Sequence, residues 1–360
     1  MADLRLCVVG LGYGAQVHVP AFRSLPGVAI AAVVSAHPAK AREFAQAQGI
    51  PRVFEHWQEA VADSSIDVVS VAVPPYLQRD VVCAATAARK HVLCEKPFGK
   101  NLADARAMWE SATKAEVVGA VNFQLRMEPG ISAMQREVAD GTIGRIRRIA
   151  VSWLTGGGSR PGVGWSWRHD AVCGGGVLGA FGSHVIDYME WIGAARFLSV
   201  QARVDTLAAY RPDASGPPQA VAAEDSCDFL GCLENEVICS FAISNCYRFG
   251  DGHRIEIFGD CGRLLFEHRF PFAEDCVTTQ IQDATGRRPL PLTRLAGFAG
   301  MDTRIPPFRE IARRFLNAAR GETVPDLPGF DRGLSVQAVL EATRTAIQQS
   351  LAAPVPRMKP

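Results

Sequence analysis

Lysine is scarce in this chain. Only six of its 360 residues are Lys, against 32 Arg, so a Lys at a structural junction carries information. Net charge is also close to nil, +1 at pH 7, which argues against a nucleic-acid-binding protein, since these carry a basic excess to meet phosphate. No apolar run reaches 18 residues, so no segment reads as a membrane span. None of the ten cysteines forms a Cys-x-x-Cys pair, which removes the usual zinc and redox spacings, and no metal is expected. Cys7, Cys94 and Cys239 interrupt apolar strand-like runs and read as small buried hydrophobes rather than as a disulfide framework. The N-terminus enters a strand at Leu4, which leaves no room for a signal peptide, and a cytoplasmic location is expected.

What is present is an ordinary globular composition, 48% apolar and 21% charged, at a length that suggests two domains. The first 122 residues alternate strand-like and helical stretches. The strand runs are Leu4–Val9, Val28–Val34, Val68–Val73, Val92–Cys94 and Val117–Val121; the helical ones are Ala15–Leu25, Ala39–Gln48, Leu77–Arg89 and Leu102–Ala115. Short, continuously apolar strands separated by helices predict a parallel sheet covered on both faces, a doubly wound α/β unit.

Gly10-Leu11-Gly12-Tyr13-Gly14-Ala15 follows the first strand and opens the first helix. It fits G-x-G-x-x-G/A, in which Gly10 permits the tight turn, Gly12 lets the backbone approach a pyrophosphate, and Ala15 allows close helix–strand packing. The place of this turn within a βαβ unit predicts a dinucleotide site. The second strand ends Val34-Ser35-Ala36-His37-Pro38-Ala39-Lys40, with no acid before Glu43. An acid at this point would take the ribose hydroxyls of NAD; its absence, with Ser35, His37 and Lys40 at hand, favours NADP(H), and NAD(H) remains the alternative. Val92-Leu93-Cys94-Glu95-Lys96-Pro97 brings one of the six lysines to the carboxyl edge of the sheet, outside which open α/β sheets bind their ligands.

With these motifs the sequence resembles the glucose–fructose oxidoreductase and inositol dehydrogenase family, usually called Gfo/Idh/MocA. The resemblance rests on Gly10–Ala15 continuing into Gln16-Val17-His18, on Val71-Ala72-Val73-Pro74-Pro75, on Glu95-Lys96-Pro97, on Gly174-Gly175-Gly176, and on Gly182-Ser183-His184-Val185-Ile186-Asp187. It implies an N-terminal Rossmann domain over 1–122, a C-terminal α/β domain with a large, mostly antiparallel open sheet over 123–351, and a flexible tail over 352–360. It also implies Lys96 near the nicotinamide and substrate, His184 as proton donor or acceptor, and a homodimer or homotetramer. The family commonly carries an Asp four residues before this His; here the position is Ala180.

The second part reads as a helix near Pro129–Asp140, a strand over Arg145–Leu154, a helix over Val177–Ile192, and strands at Phe197–Val204, Asp225–Leu233, Val237–Ile243, Arg254–Phe258 and Arg263–Glu267. Ala208–Ala223 and Asp283–Gly300 are broken by Pro and Gly and read as loops; Thr303–Arg320 and Asp331–Ser350 read as closing helices. On the helix over Val177–Ile192, Ala180, His184 and Asp187 share a face. Lys96 and His184 are the expected catalytic pair. Cofactor contacts are expected from Gly10, Gly12, Tyr13, Gly14, Ala15, Ser35, His37, Lys40, Val73, Pro74, Pro75, Glu95, Lys96, Asn122, Trp167 and Arg168. Arg126, Trp165, Arg168 and Asp187 are expected to join Lys96 and His184 around a small polyhydroxylated substrate. A hydride would pass between nicotinamide and a sugar, sugar derivative or cyclitol; a cofactor-binding sensor that has lost catalysis is the alternative.

Overall fold

The computed structural model describes residues 3–214, 216–269, 276–292 and 302–349. The expected tail over 352–360 and residues 293–300 of the second broken stretch lie outside them.

Six strands form the first sheet: β1 (Leu4–Val9), β2 (Val28–Val34), β3 (Arg52–Phe54), β4 (Val68–Val71), β5 (His91–Cys94) and β6 (Gly119–Val121). Their order is β3-β2-β1-β4-β5-β6, and every pairing is parallel. The order reverses between β1 and β4, which opens the crevice where dinucleotides sit in this topology. Helices α1 (Val19–Arg23), α2 (Pro38–Gln48), α3 (Trp57–Ala62), α4 (Pro75–Ala87) and α5 (Leu102–Ala115) make the crossovers. β3 and α3 escape the sequence reading because three half-buried residues carry no periodic signal.

The second sheet has eight strands among the described residues, in the order β16-β15-β14-β13-β7-β12-β11-β8. After α6 (Pro129–Ala139) come β7 (Ile146–Leu154), α7 (Ser183–Gly193), β8 (Phe197–Asp205), β9 (Tyr210–Asp213), β10 (Gly216–Ala220), β11 (Ser226–Leu233), β12 (Ile238–Ser244), β13 (Gly252–Gly259), β14 (Gly262–His268), β15 (Val277–Asp283) and β16 (Gly286–Pro289). Only the β12–β7 pairing is parallel, so the sheet is mostly antiparallel, as expected. Two expected loops are corrected. Ala208–Ala223 contains the hairpin β9–β10, whose register slips between Gly216 and Gln219, so Pro217 and Pro218 lie on an edge where no ladder donor is missed. Within the stretch read as broken from Asp283, Gly286–Pro289 pairs with β15.

Two closing helices, α8 (Ile305–Ala319) and α9 (Phe330–Gln348), return to the first sheet. Phe308 and Phe315 are wholly buried in a cluster with Leu6, Val8, Val17 and Phe22. Each such ring contributes roughly 1.5–3 kcal/mol over exposure. Pro328 O accepts from Val121 N at 2.8 Å, and Phe330 packs on Gly119, where a side chain would collide with its ring. Cys7, Cys94, Cys227 and Cys239 are buried free thiols.

Candidate active site

The glycine turn sits at the carboxyl end of β1. Gly10 has φ +100°, and a Cβ there would lie 2.6 Å from Ala72 O, so no other residue fits without displacing the chain after β4. Nothing lies within 4 Å of the Cβ position of Gly12, an open cradle of the kind a pyrophosphate requires. The close contact with the strands falls on Gly14, 3.0 Å from Val8 and 3.4 Å from Ala72, rather than on half-buried Ala15. The reason is that the helix opens with a π turn over Gly14–His18 before α1, which turns Gly14 toward the sheet.

The same turn buries His18. Its Nδ1 meets Ser70 Oγ at 2.7 Å and its Nε2 meets Glu95 Oε1 at 3.0 Å. Glu95 also accepts from Asn122 Nδ2 (2.6 Å), which in turn donates to Gln124 Oε1, as does the Tyr13 hydroxyl, each at 3.1 Å. This network joins the ends of β4, β5 and β6 to the glycine turn, so Tyr13, Glu95 and Asn122 form a framework beside the crevice. Burial holds the Tyr13 hydroxyl well above its ordinary value, hence protonated. Val73 and Pro74 follow β4, and Pro75 opens α4 without needing an amide donor. Ser35 Oγ accepts from His37 N at 3.2 Å, Lys40 lies exposed on α2, and Arg42 is paired with Glu55 at 2.8 Å.

Lys96 leaves the edge of β5, and its ammonium donates to Ala180 O at 2.7 Å. Burial brings that ammonium down from 10.5 to about 8; the charges of Arg168 and Arg304 add to the fall and Glu95 opposes it. Ala180 belongs to a second π turn, Leu178–Gly182, which precedes α7. The expected helix over Val177–Ile192 therefore begins one type of turn and continues as another. His184 in α7 is 6% exposed, ringed by Phe123 and Trp153 at 6.2 and 6.5 Å between centroids. Its Nδ1 is buried with no hydrogen-bond partner among the described residues. Burial, and then the charges of Lys96 and His253, hold its imidazole well below 6.5.

The triple glycine explains how this helix enters. A Cβ on Gly175 would lie 2.5 Å from Arg168 O and 2.7 Å from Trp167 O, so the chain passes directly beneath the loop carrying Trp167 and Arg168. The Arg168 guanidinium stacks over Trp167 at 4.9 Å. Burial lowers its pKa, and the nearby Arg304 charge lowers it further. Glu224 Oε1 accepts from Leu178 N at 3.0 Å, which satisfies one of the free amides that open the π turn.

Arg126 and Asp187 are directed at one another. Arg126 forks onto both Asp187 oxygens at 2.7 and 2.6 Å, and Arg332 of α9 donates to Asp187 at 2.9 Å and to Glu190 at 2.7 Å. Asp187, three residues beyond His184, is thus held between Arg126 and Arg332 of α9. The sequence reading missed Arg332 and also Arg304, which stacks over Tyr13 at 4.9 Å and donates to Gln16 Oε1 at 3.1 Å. Both arrive from the end of the chain, and no local spacing marks them.

Comparison with known proteins agrees with this architecture. Residues 4–123 match the model of an oxidoreductase family with an NAD-binding Rossmann fold, and residues 131–265 match the Gfo/Idh/MocA C-terminal domain. An uncharacterized oxidoreductase of Synechocystis is 28% identical over 358 residues, covering 96% of this chain and 95% of its own. A levoglucosan dehydrogenase of Pseudarthrobacter phenanthrenivorans is 28% identical over 230 residues, 61% of this chain and 59% of its own. The crystal structure of an oxidoreductase domain protein from Kribbella flavida superposes with a TM-score of 0.86 at 26% identity, over 97% of this chain and 98% of its own. With both halves matched and the dinucleotide crevice formed as the topology requires, the chain belongs to the Gfo/Idh/MocA family of oxidoreductases.

Proposed function

We propose that this protein is an NADP(H)-dependent enzyme that moves a hydride between nicotinamide and a CH–OH/C=O carbon of a sugar, sugar derivative or cyclitol. The observation that carries the reading is the approach of a half-buried lysine from one unit to a buried histidine of the other. Lys96 Nζ is tied to the π turn that leads into α7, and its charge acts on His184 in that helix. The bound nicotinamide supplies the hydride chemistry. Lys96 hydrogen-bonds the reacting oxygen and stabilises the charge that develops on it. His184, with Nδ1 sealed in, works through Nε2, taking the hydroxyl proton in oxidation and returning it in reduction.

Open space over Gly12 and the Tyr13–Glu95–Asn122 framework support the dinucleotide, with Trp167 and Arg168 closing over it. NADP(H) is favoured because Ser35, His37 and Lys40 stand where an acid would exclude a 2′-phosphate; Arg42 is already paired with Glu55. The named relatives that are sugar and cyclitol dehydrogenases support the substrate class. The face of the second sheet away from α6, α7 and α9 exposes Leu230 and Ile238, which supports a homodimer or homotetramer. A cytoplasmic enzyme fits the unpaired thiols.

Titration of NADPH and NADH by fluorescence, then a panel of sugars and cyclitols followed at the nicotinamide absorbance band, tests this reading. NADPH binds more tightly, Ser35→Asp reverses the preference, and at least one polyol turns over. Tight cofactor binding without turnover on any compound, and indifference to His184→Ala, would sink the enzyme and leave the sensor, the reading favoured by Ala180, which offers Lys96 only a backbone carbonyl.

A further inference from the structure

We propose that Arg211, with the indole N–H of Trp165, forms a binding site for a carboxylate or phosphate group on a small molecule. The hairpin β9–β10 is stitched to the loop that precedes α7. Trp165 N donates to Pro212 O at 2.6 Å, and Ala222 N and Ala223 N donate to His169 O at 2.9 and 3.1 Å. Within β9 only Arg211 turns fully inward, and it is 7% exposed.

Its guanidinium finds no good acceptor within reach. Arg211 Nη2 reaches Cys246 Sγ at 3.6 Å, a weak acceptor, and Nε is buried without a partner. Among the described residues no carboxylate lies within ion-pair distance of Arg211. Asp225 is the acid in this neighbourhood, acting on both His169 and Cys246; its oxygens are spent on Leu207 N and Ala208 N at 2.8 and 3.0 Å, so it supplies charge beyond Cys246 but no hydrogen bond to Arg211. Trp165 Nε1 is a second buried donor with no acceptor. His169 offers no acceptor through Nδ1, which is taken by Ser166 N at 3.1 Å, and burial, with the Arg211 charge, lowers its pKa.

The same chain shows what a structural buried arginine looks like. Arg126 and Arg332 each fork onto carboxylates. A buried guanidinium whose N–H groups lack acceptors is costly unless a ligand supplies them, and its planar fork matches carboxylate and phosphate oxygens. Trp165 lies two residues from Trp167 on the loop that passes over Gly175. Resting on the proposed reading of the cleft, the anion is then an acidic group on a polyhydroxylated molecule, a sugar acid or a sugar phosphate.

The test titrates the full chain, without cofactor, with D-glucuronate, D-glucose 6-phosphate, inorganic phosphate and D-glucose at constant ionic strength, followed by tryptophan fluorescence and calorimetry. At least one anion binds saturably and D-glucose gives no response. Arg211→Gln weakens anion binding at least tenfold, and Arg211→Lys restores part of it. Sugar acids or phosphates binding more tightly than inorganic phosphate identify a substrate group; equal affinity identifies a free anion as the occupant of the same site. Removal of an unsatisfied buried donor leaves the Tm of Arg211→Met unchanged or higher. No saturable binding of any anion, or a Tm drop in Arg211→Met with unaltered anion affinity in Arg211→Gln, overturns the proposal. Because the titration needs no turnover, its failure leaves the hydride-transfer assay intact, and failure of that assay leaves the titration readable.

Discussion

His18 and His184 enter the fold by the same device and are bonded in opposite ways. Each lies at the junction of a π turn with an α-helix, Gly14–His18 before α1 and Leu178–Gly182 before α7, and each ring is buried. His18 has a partner on both nitrogens and a stacked Phe308 at 4.2 Å, so nothing is left for a ligand. His184 has an unused nitrogen, no fixed acceptor, and a lysine charge beside it. Saturated hydrogen bonding marks a ring that holds the fold; the proposed reading gives His184, whose ring no partner fixes in place, the proton transfer through Nε2. π turns recur at functional sites; here one serves the framework and, on the proposed reading, the other serves the chemistry.

The largest effects separate the two rings by readout. His184→Ala lowers kcat by roughly 10²–10⁴-fold, the usual worth of a positioned acid–base group, with Tm little changed; steady-state kinetics and calorimetry measure both. Lys96→Met lowers kcat by about 10²–10³-fold, the cost of one lost oxyanion donor. Asp187→Asn leaves Arg126 and Arg332 facing a neutral amide and costs about 3–5 kcal/mol of stability, as for other broken buried pairs, read in denaturant unfolding. If His184→Ala instead unfolds the protein while sparing the rate, the distinction between the two rings fails.

Next in size, His18→Ala strips partners from Ser70 and Glu95 and opens a cavity against Phe308, for a loss of about 2–3 kcal/mol. A smaller effect lies in the pH profile. A lysine lowered to about 8 is charged below that pH and neutral above it, so alcohol oxidation, which needs charged Lys96 and neutral His184, holds through neutrality and falls as pH rises past 8. Lys96→Arg carries that limb out of the accessible range. His184, held well below 6.5, stays neutral, so no limb appears near an ordinary imidazole value. A falling limb first met near 10 in the wild type would remove the physical basis for treating Lys96 as perturbed.

Much of the first sheet was legible because apolar strands and amphipathic helices leave periodic marks; Lys96 stood out as a scarce lysine at a strand edge and His184 through the family resemblance, and their use in chemistry belongs to the proposed function. The π turns were not legible: a wider hydrogen-bond ring changes which residue faces inward without changing composition, which is why Gly14 rather than Ala15 meets the strands. Arg304, Arg332 and Arg211 were not legible either. Each acts on residues far away in sequence, and the folded chain alone brings the partners together. Pro217 and Pro218 concealed β10, since an edge strand tolerates what an interior one does not.

The return of α8 to the nucleotide unit bears on how the protein is made. Phe308 and Phe315 seal the cluster that holds Leu6 and Val17, so the first sheet lacks part of its core until the last sixty residues exist. At roughly 5–20 residues per second, a ribosome takes on the order of ten to forty seconds to travel from β6 to α8. During that interval the nascent nucleotide unit presents an open apolar flank, a ready surface for a chaperone and a point at which a premature stop yields an insoluble fragment.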